Sequence, residues 1–253
     1  MQHICFLADK TELAQTSLKN LRKTYGCSGA ENADVFVVLG GDGFMLQTLH
    51  RYIGKGIPFY GMNCGSVGFL MNKYQEKDLP ERLNNAGLIT LRPLVMEAYA
   101  ANGKYKKAWA FNEVSLWRQS RQTADISISV DGVQKLPDLI CDGVLLSTPA
   151  GSTAYNFSAH GPILPLASNV LALTPISPFR PRRWQGAILP RHATVSFTIR
   201  QSEKRPVSAV ADFTELRHAV QVTVREDPSI GLHLLFDPER NLEDRVLDEQ
   251  FSG

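Results

Sequence analysis

The 253-residue chain has only four cysteines, and Cys5, Cys27, Cys64 and Cys141 stand too far apart to form a C-x-x-C pair. That scatter argues against a zinc site or a disulfide framework and fits a reducing compartment. The six histidines show no ligand spacing either. No charge of one sign is in excess: 27 Lys+Arg against 25 Asp+Glu leave +2. Without a basic excess or a basic block, neither nucleic acid nor a membrane surface is an expected partner. Long apolar runs are missing too. Ile4-Cys5-Phe6-Leu7-Ala8 ends at Asp9, too short for a signal-peptide core, and nowhere do about 18 apolar residues run together. The expectation is a cytoplasmic protein. What is present, 43% hydrophobic and 21% charged residues, suits one large domain or two modest ones with real cores.

The first 93 residues alternate short apolar runs with helix-period segments, the pattern of βαβ units around a parallel sheet. Residues 3–8 read as a strand. Thr11 is placed to cap a helix with Ala14, Leu18 and Leu21 on its apolar face, ending at Gly26. Val35–Leu39 reads as a buried strand that runs straight into Gly40-Gly41-Asp42-Gly43, and Met45, Leu46 and Leu49 suggest a helix to about Tyr52. A third strand, Ile57–Met62, ends in Asn63-Cys64-Gly65-Ser66-Val67-Gly68-Phe69, so both glycine-rich turns follow strand C-termini. From Leu94 to residue 236 the texture becomes a series of short β-type runs. Asn102-Gly103 and Asp131-Gly132 are type I′ hairpin signals, with further strands at 126–130, 144–147, 195–199, 207–211, 220–224 and 232–236. The tail, 237–253, carries Leu242 and Val246 among charges and reads as a short amphipathic helix packing back on the chain. The fold expected is an α/β N-terminal domain with a parallel sheet (1–93), a mainly β C-terminal domain (94–236) and a tail.

Three glycines around one aspartate, after a buried strand and before a helix, let backbone N–H groups approach phosphate oxygens where a helix N-terminus favours negative charge. A carboxylate there repels a phosphate unless it takes a hydroxyl proton or works through Mg²⁺. Two readings of Asp42 stay open on local sequence: that chemistry, or a cap on the following helix. The dinucleotide fingerprint G-x-G-x-x-G fails at Leu46, the acid expected about 20 residues on is absent, and no Walker motif occurs. The densest hydroxyl-rich stretch, Thr148-Pro149-Ala150-Gly151-Ser152-Thr153-Ala154-Tyr155 with Ser158-Ala159-His160-Gly161-Pro162, can line a polar pocket with one aromatic face. For Ser152 a turn-capping role is the stronger reading. A serine-hydrolase elbow is set aside because Gly151-Ser152 lacks the flanking glycine.

Taken together, Gly40-Gly41-Asp42-Gly43, Asn112-Glu113 and Ser147–Tyr155 with Ser158 resemble the GGDG, Asn-Glu and STPxGSTAYxxS signatures of the NAD kinases. Similarity also runs through 61–70 and Thr174–Pro178, so that it spans roughly residues 35 to 215 in order. The resemblance implies transfer of the ATP γ-phosphate to the 2′-hydroxyl on the adenosine side of NAD, giving NADP, with Mg²⁺ or another divalent metal entering on the nucleotide phosphates. By the same resemblance Asp42 takes the hydroxyl proton, and Gly40, Gly41, Gly43 and Phe69 belong to the nucleotide-binding positions. Asn112 and Glu113 hold the adenosine part. Thr153, Ala154, Tyr155 and Ser158 surround adenine and ribose, with Ala150, Asn156 and Phe157 in the same segment. Asp142 meets the nicotinamide end across a subunit interface, and Asp212 is a further acidic pocket position. A homodimer or homotetramer is implied.

The sequence departs from the family pattern at Phe44, which replaces a small hydroxyl residue, at His160, where a second glycine is common, and at Ile140, where a basic residue is common. His160 is the first candidate to supply the missing phosphate contact, ahead of Arg182 and Arg183. Two alternatives remain: a lipid kinase of the diacylglycerol or sphingosine type sharing the GGDG turn, and a silent nucleotide-binding regulator.

Overall fold

The structure is a computed structural model describing residues 3–65 and 68–238. It divides into two compact units, one formed by the chain up to Leu91 together with the segment from Ser229, the other by Arg92–Pro228.

In the first unit β1 (Ile4–Ala8) is followed by α1 (Glu12–Tyr25). Thr11 caps α1 as expected, its hydroxyl accepting the Ala14 N–H at 3.4 Å, and Gly26 ends it with a φ of 75° and an N–H bond to the Arg22 carbonyl. Ala14 and Leu21 are fully buried. Then come β2 (Val35–Gly40), α2 (Asp42–Arg51), β3 (Phe59–Asn63), β4 (Asn72–Lys73), α3 (Leu79–Asn85) and β5 (Gly87–Leu91). Strands β1, β2 and β3 pair in parallel, in register Ile4–Val35 and Phe36–Phe59. Every residue of β2 is buried, as an inner strand of a parallel sheet requires. The helix after the glycine-rich turn starts at Asp42 itself, three residues before its first expected apolar position.

The second unit is one eleven-stranded antiparallel sheet. It runs through β6 (Leu94–Ala100), β7 (Tyr105–Ala110), β8 (Glu113–Arg118), β9 (Ala124–Val130), β10 (Val133–Cys141) and β11 (Gly143–Ser147). After α4 (Tyr155–Ser158) follow β12 (Val170–Ile176), β13 (Ala187–Pro190), β14 (Val195–Ile199), β15 (Val207–Ala211) and β16 (Thr214–Glu226). One face carries a continuous apolar cluster including Leu116, Leu146, Phe197 and Val222. Asp131 and Gly132 both adopt positive φ, 50° and 76°, as a type I′ turn demands. Asn102-Gly103 does not: only Gly103 is left-handed, and its N–H bonds to Ala100 across a three-residue loop. Ala101 joins that loop because the β6–β7 pairing closes at Tyr99–Tyr105. Asn112 follows Phe111 in the connection after β7, and Glu113 opens β8.

The final strand corrects the expected domain limits. The chain returns to the first unit as β17 (Leu232–Phe236), which pairs in parallel with β3 and antiparallel with β5. Its alternation of buried Leu232, Leu234 and Phe236 suits either sheet, so periodicity alone could not assign it. Polar contacts add to the strand pairing. Asp237, next after β17, accepts the Tyr60 hydroxyl at 2.7 Å and pairs with Arg82 at 2.5 Å. The expected tail helix with Leu242 and Val246 lies outside the described residues. Among the described residues no helix is long and apolar enough to cross a membrane.

Candidate active site

In the first unit the glycine-rich turn sits where β2 gives way to α2, at the carboxyl end of the parallel strands, the end at which open α/β sheets bind ligands. Gly40 is tightly packed: a Cβ there would lie 3.0 Å from the Phe44 side chain, which would have to shift by a few tenths of an ångström. Gly41 is the N-cap, with extended backbone and no side-chain cap bond. At Gly41 and Gly43 a Cβ would point into open space. Asp42 is the first helical residue, not the cap. Its carboxylate accepts the N–H of Phe69 at 2.7 Å and of Leu70 at 3.0 Å, and Gly68 approaches so closely that a Cβ would meet Oδ1 at 2.5 Å. The two glycine-rich turns are therefore tied through one side chain, a connection that neither sequence reading of Asp42 anticipated.

In the second unit β8 lies between β15 and β11, and β15 pairs in turn with β16. Strand alternation makes Glu113, Ser115, Trp117 and Gln119 share one face. Register places Ser208 opposite Trp117 and Val210 opposite Ser115, with Glu215 beyond Val210 on β16. This polar face, with Arg118, Arg217, Asp212 and Tyr155, lines a cavity of ≈370 Å³. Tyr155 stacks on Trp117, ring centroids 5.0 Å apart and planes 11° from parallel, and the Trp117 N–H is held by the Ser115 hydroxyl at 2.9 Å.

The hydroxyl-rich loop is knitted to the Phe111–Glu113 segment. Thr148 donates its N–H to the Asn112 carbonyl at 2.9 Å and its hydroxyl to the Phe111 carbonyl at 2.6 Å. Ala150–Thr153 then form a single 3₁₀ turn. Ser152 is fully buried: its hydroxyl donates to the Pro149 carbonyl and accepts the Leu164 N–H, in keeping with the turn-capping reading. Thr153, Ala154 and Tyr155 are half-buried, and Phe157 and Ser158 are exposed on α4.

Of the expected ligand residues in this unit, Glu113, Tyr155 and Asp212 line the cavity. Asn156 is not among the residues that line it. It is fully buried, its amide donating to the Pro162 carbonyl and accepting the Thr174 hydroxyl, so its side chain builds the loop. Asp142 pairs through Oδ1 with Arg118 Nε at 2.5 Å. His160 stands exposed at a left-handed turn ending α4 (φ 61°), and Arg182 lies over the Phe179 ring; neither lines the cavity. The residues sequence reasoning missed are Ser115, Trp117, Gln119 and Ser208, together with the cations Arg118 and Arg217. The signal was available in part, as the period-2 polar alternation after Glu113.

Glu113 is the most perturbed group here. Burial first, and the Asp212 charge second, push its carboxyl up to about 8. Its Oε2 is buried with no hydrogen-bond partner. Tyr155 is raised as well, by burial, then Glu113 and Asp142. Among the described residues no group of three or more His, Cys, Asp or Glu side chains is arranged to hold a metal.

Residues 2–86 match the ATP-NAD kinase N-terminal domain and residues 111–225 the ATP-NAD kinase C-terminal domain. The NAD kinase of Caulobacter vibrioides is 57% identical over 97% of this chain and 94% of its own length. That of Rhizobium meliloti is 52% identical over 99% and 97%. Two solved structures share the fold. Yeast NADH kinase complexed with NADH has a TM-score of 0.85 at 21% identity, covering 99% of this chain and 87% of that one. An NAD kinase from Archaeoglobus fulgidus in complex with ATP has a TM-score of 0.80 at 21% identity, covering 99% and 98%. With two family domains matched in order and relatives more than half identical along almost the whole sequence, the chain belongs to the ATP-NAD kinase family.

Proposed function

We infer that this chain transfers the γ-phosphoryl group of ATP to the 2′-hydroxyl of the adenosine ribose of NAD, giving NADP. The observation that carries the reading is the Asp42 carboxylate, fixed by Phe69 and Leu70 at the carboxyl end of β2, in a chain of this family. Phosphoryl transfer asks little of a protein beyond positioning, charge neutralisation and a base at the acceptor oxygen. Asp42 is that base. Gly41 and Gly43 keep the backbone beside it open to phosphate oxygens, because neither carries a side chain over the turn. Asn112, Glu113 and Tyr155 hold the dinucleotide, with Trp117 backing the tyrosine ring.

A divalent metal belongs to this proposal as part of the metal–ATP substrate, where it neutralises phosphate charge. Among the described residues no group of acidic side chains is arranged to hold an ion. A lipid acceptor suits the site poorly: the cavity beside Tyr155 presents Glu113, Arg118, Asp212, Glu215 and Arg217, a lining for a polar ligand.

Purified protein incubated with Mg²⁺, ATP and NAD, then resolved by chromatography, should yield NADP. Phosphorylation of diacylglycerol with none of NAD would overturn the reading. The proposal includes a homodimer or homotetramer, in which a second copy completes the surroundings of Asp142. A fully active monomer in analytical ultracentrifugation would remove that part.

A further inference from the structure

Asp212 occupies the turn between β15 and β16 with a left-handed backbone (φ 51°), an uncommon state for a residue with a side chain. One carboxylate oxygen accepts the Phe111 N–H at 2.8 Å. The other accepts those of Asn112 at 3.1 Å and Glu113 at 3.3 Å. In return the Asp212 N–H donates to the Glu113 carbonyl at 3.2 Å. Four hydrogen bonds thus join a single turn residue to three consecutive residues of a segment about 100 positions earlier, and two of those three are the Asn-Glu pair.

We propose that Asp212 is a positioning residue for NAD: it acts through the backbone of Phe111–Glu113, setting where the Asn112 and Glu113 side chains are presented. The inference rests on the function proposed above and gives Asp212 a different task from that of one more acidic ligand contact. Hydrogen bonds to a charged acceptor are stronger than neutral ones, so a carboxylate holds this segment more firmly than an amide or hydroxyl would.

The same carboxylate also acts on Glu113 through space. Glu113 shares the cavity with Asp212 from the β15–β16 turn, Tyr155 from α4, Glu215 and Arg217 from β16, and Arg118 from its own strand. Burial first, and Asp212 second, push its carboxyl up to about 8. Below that pH Glu113 is neutral and adds no negative charge to a cavity that must admit an anionic dinucleotide. Above it the ionised side chain repels the ligand, so kcat/KM for NAD falls on the alkaline side.

The test compares NADP formation by the unaltered chain, Asp212→Asn and Glu113→Gln from about pH 6 to about pH 9.5. Asp212→Asn keeps the shape but loses the charge. It should raise KM for NAD about tenfold with a far smaller change in kcat, and move the alkaline limb to lower pH, because Glu113 ionises more readily without a negative neighbour. Glu113→Gln should abolish that limb. A merely structural Asp212 predicts a lower melting temperature with KM and the limb unmoved, and that result would overturn the proposal. If Asp212→Asn fails to fold, two measurements still decide. The amide protons of Phe111, Asn112 and Glu113 in the unaltered protein must be protected from hydrogen exchange, and the limb must vanish in Glu113→Gln; failure of either sinks the idea. No NADP from the unaltered chain would instead overturn the proposed function, whereas NADP formation with an unmoved limb overturns this inference alone.

Discussion

Asp42→Asn should lower turnover by roughly 10²- to 10⁴-fold, the usual consequence of losing a general base, while NAD affinity stays close to that of the unaltered protein. The structure adds a second consequence. The carboxylate offers one oxygen each to Phe69 and Leu70, and an amide offers only one acceptor to the same two N–H groups. One of them is left facing a donor, so the folded state should lose about 1–3 kcal/mol. Urea denaturation separates this loss from catalysis, provided kinetics are run at saturating substrates where the variant is folded. Tyr155→Ala supplies the contrast. It removes the partner of Trp117 and should weaken calorimetric NAD affinity by about 1–2 kcal/mol with a much smaller effect on kcat. Near-normal turnover in Asp42→Asn would confine Asp42 to holding the Gly68–Leu70 turn and remove it from the chemistry.

The second large effect is expected at Gly151. A Cβ there would lie 2.2 Å from the Asn112 carbonyl oxygen and 2.4 and 2.5 Å from two further backbone atoms of Asn112. Backbone cannot swing aside as a flexible side chain can, so Gly151→Ala must push the 3₁₀ turn away from Asn112-Glu113. Overpacking of this kind costs about 1–3 kcal/mol, and the displaced pair should lower NAD affinity at least about tenfold, since small misplacements of binding groups are felt strongly. Gly41→Ala is the control for stability. Its φ of −111° suits any residue and its Cβ would meet nothing within 4 Å, so urea denaturation should show little change. Unaltered stability and affinity in Gly151→Ala would mean that the loop can move without disturbing the pair.

How far these sites were legible depended on whether the decisive contacts were local. Thr11 and Gly26 bracket α1 through bonds spanning three or four residues, and strands such as β14 and β15 fall where their apolar runs begin and end. The GGDG turn was visible because its glycines and its place after a buried strand are neighbours in sequence. The cavity floor was not. It depends on Ser208 standing opposite Trp117 and Val210 opposite Ser115, a register set between strands about 90 residues apart. Asp212 was placed in the pocket by resemblance, but its bonds to three amides could not be read from side-chain chemistry, because its partners are backbone groups that every residue possesses. The bonds Asn156 makes within its loop were hidden for the same reason: a polar side chain within a hydroxyl-rich motif gives no sign of whether it faces a ligand or the loop's own carbonyls.

The return of β17 to the first sheet bears on how the chain is made. β17 is an inner strand, with β3 on one side and β5 on the other. The strands up to β5 leave the ribosome first, yet β3 and β5 have no common neighbour until residue 236 has been synthesised. By then every strand of the antiparallel sheet has already been synthesised. The first unit is thus interrupted by the whole of the second, and its sheet closes last although most of it is translated first. Until that closure β5 lacks a partner on its β17 side and β3 is covered there only by the two-residue β4, and such edges recruit other chains. The interval between synthesis of β5 and arrival of β17 is therefore the period in which the nascent chain is most exposed to strand-mediated aggregation.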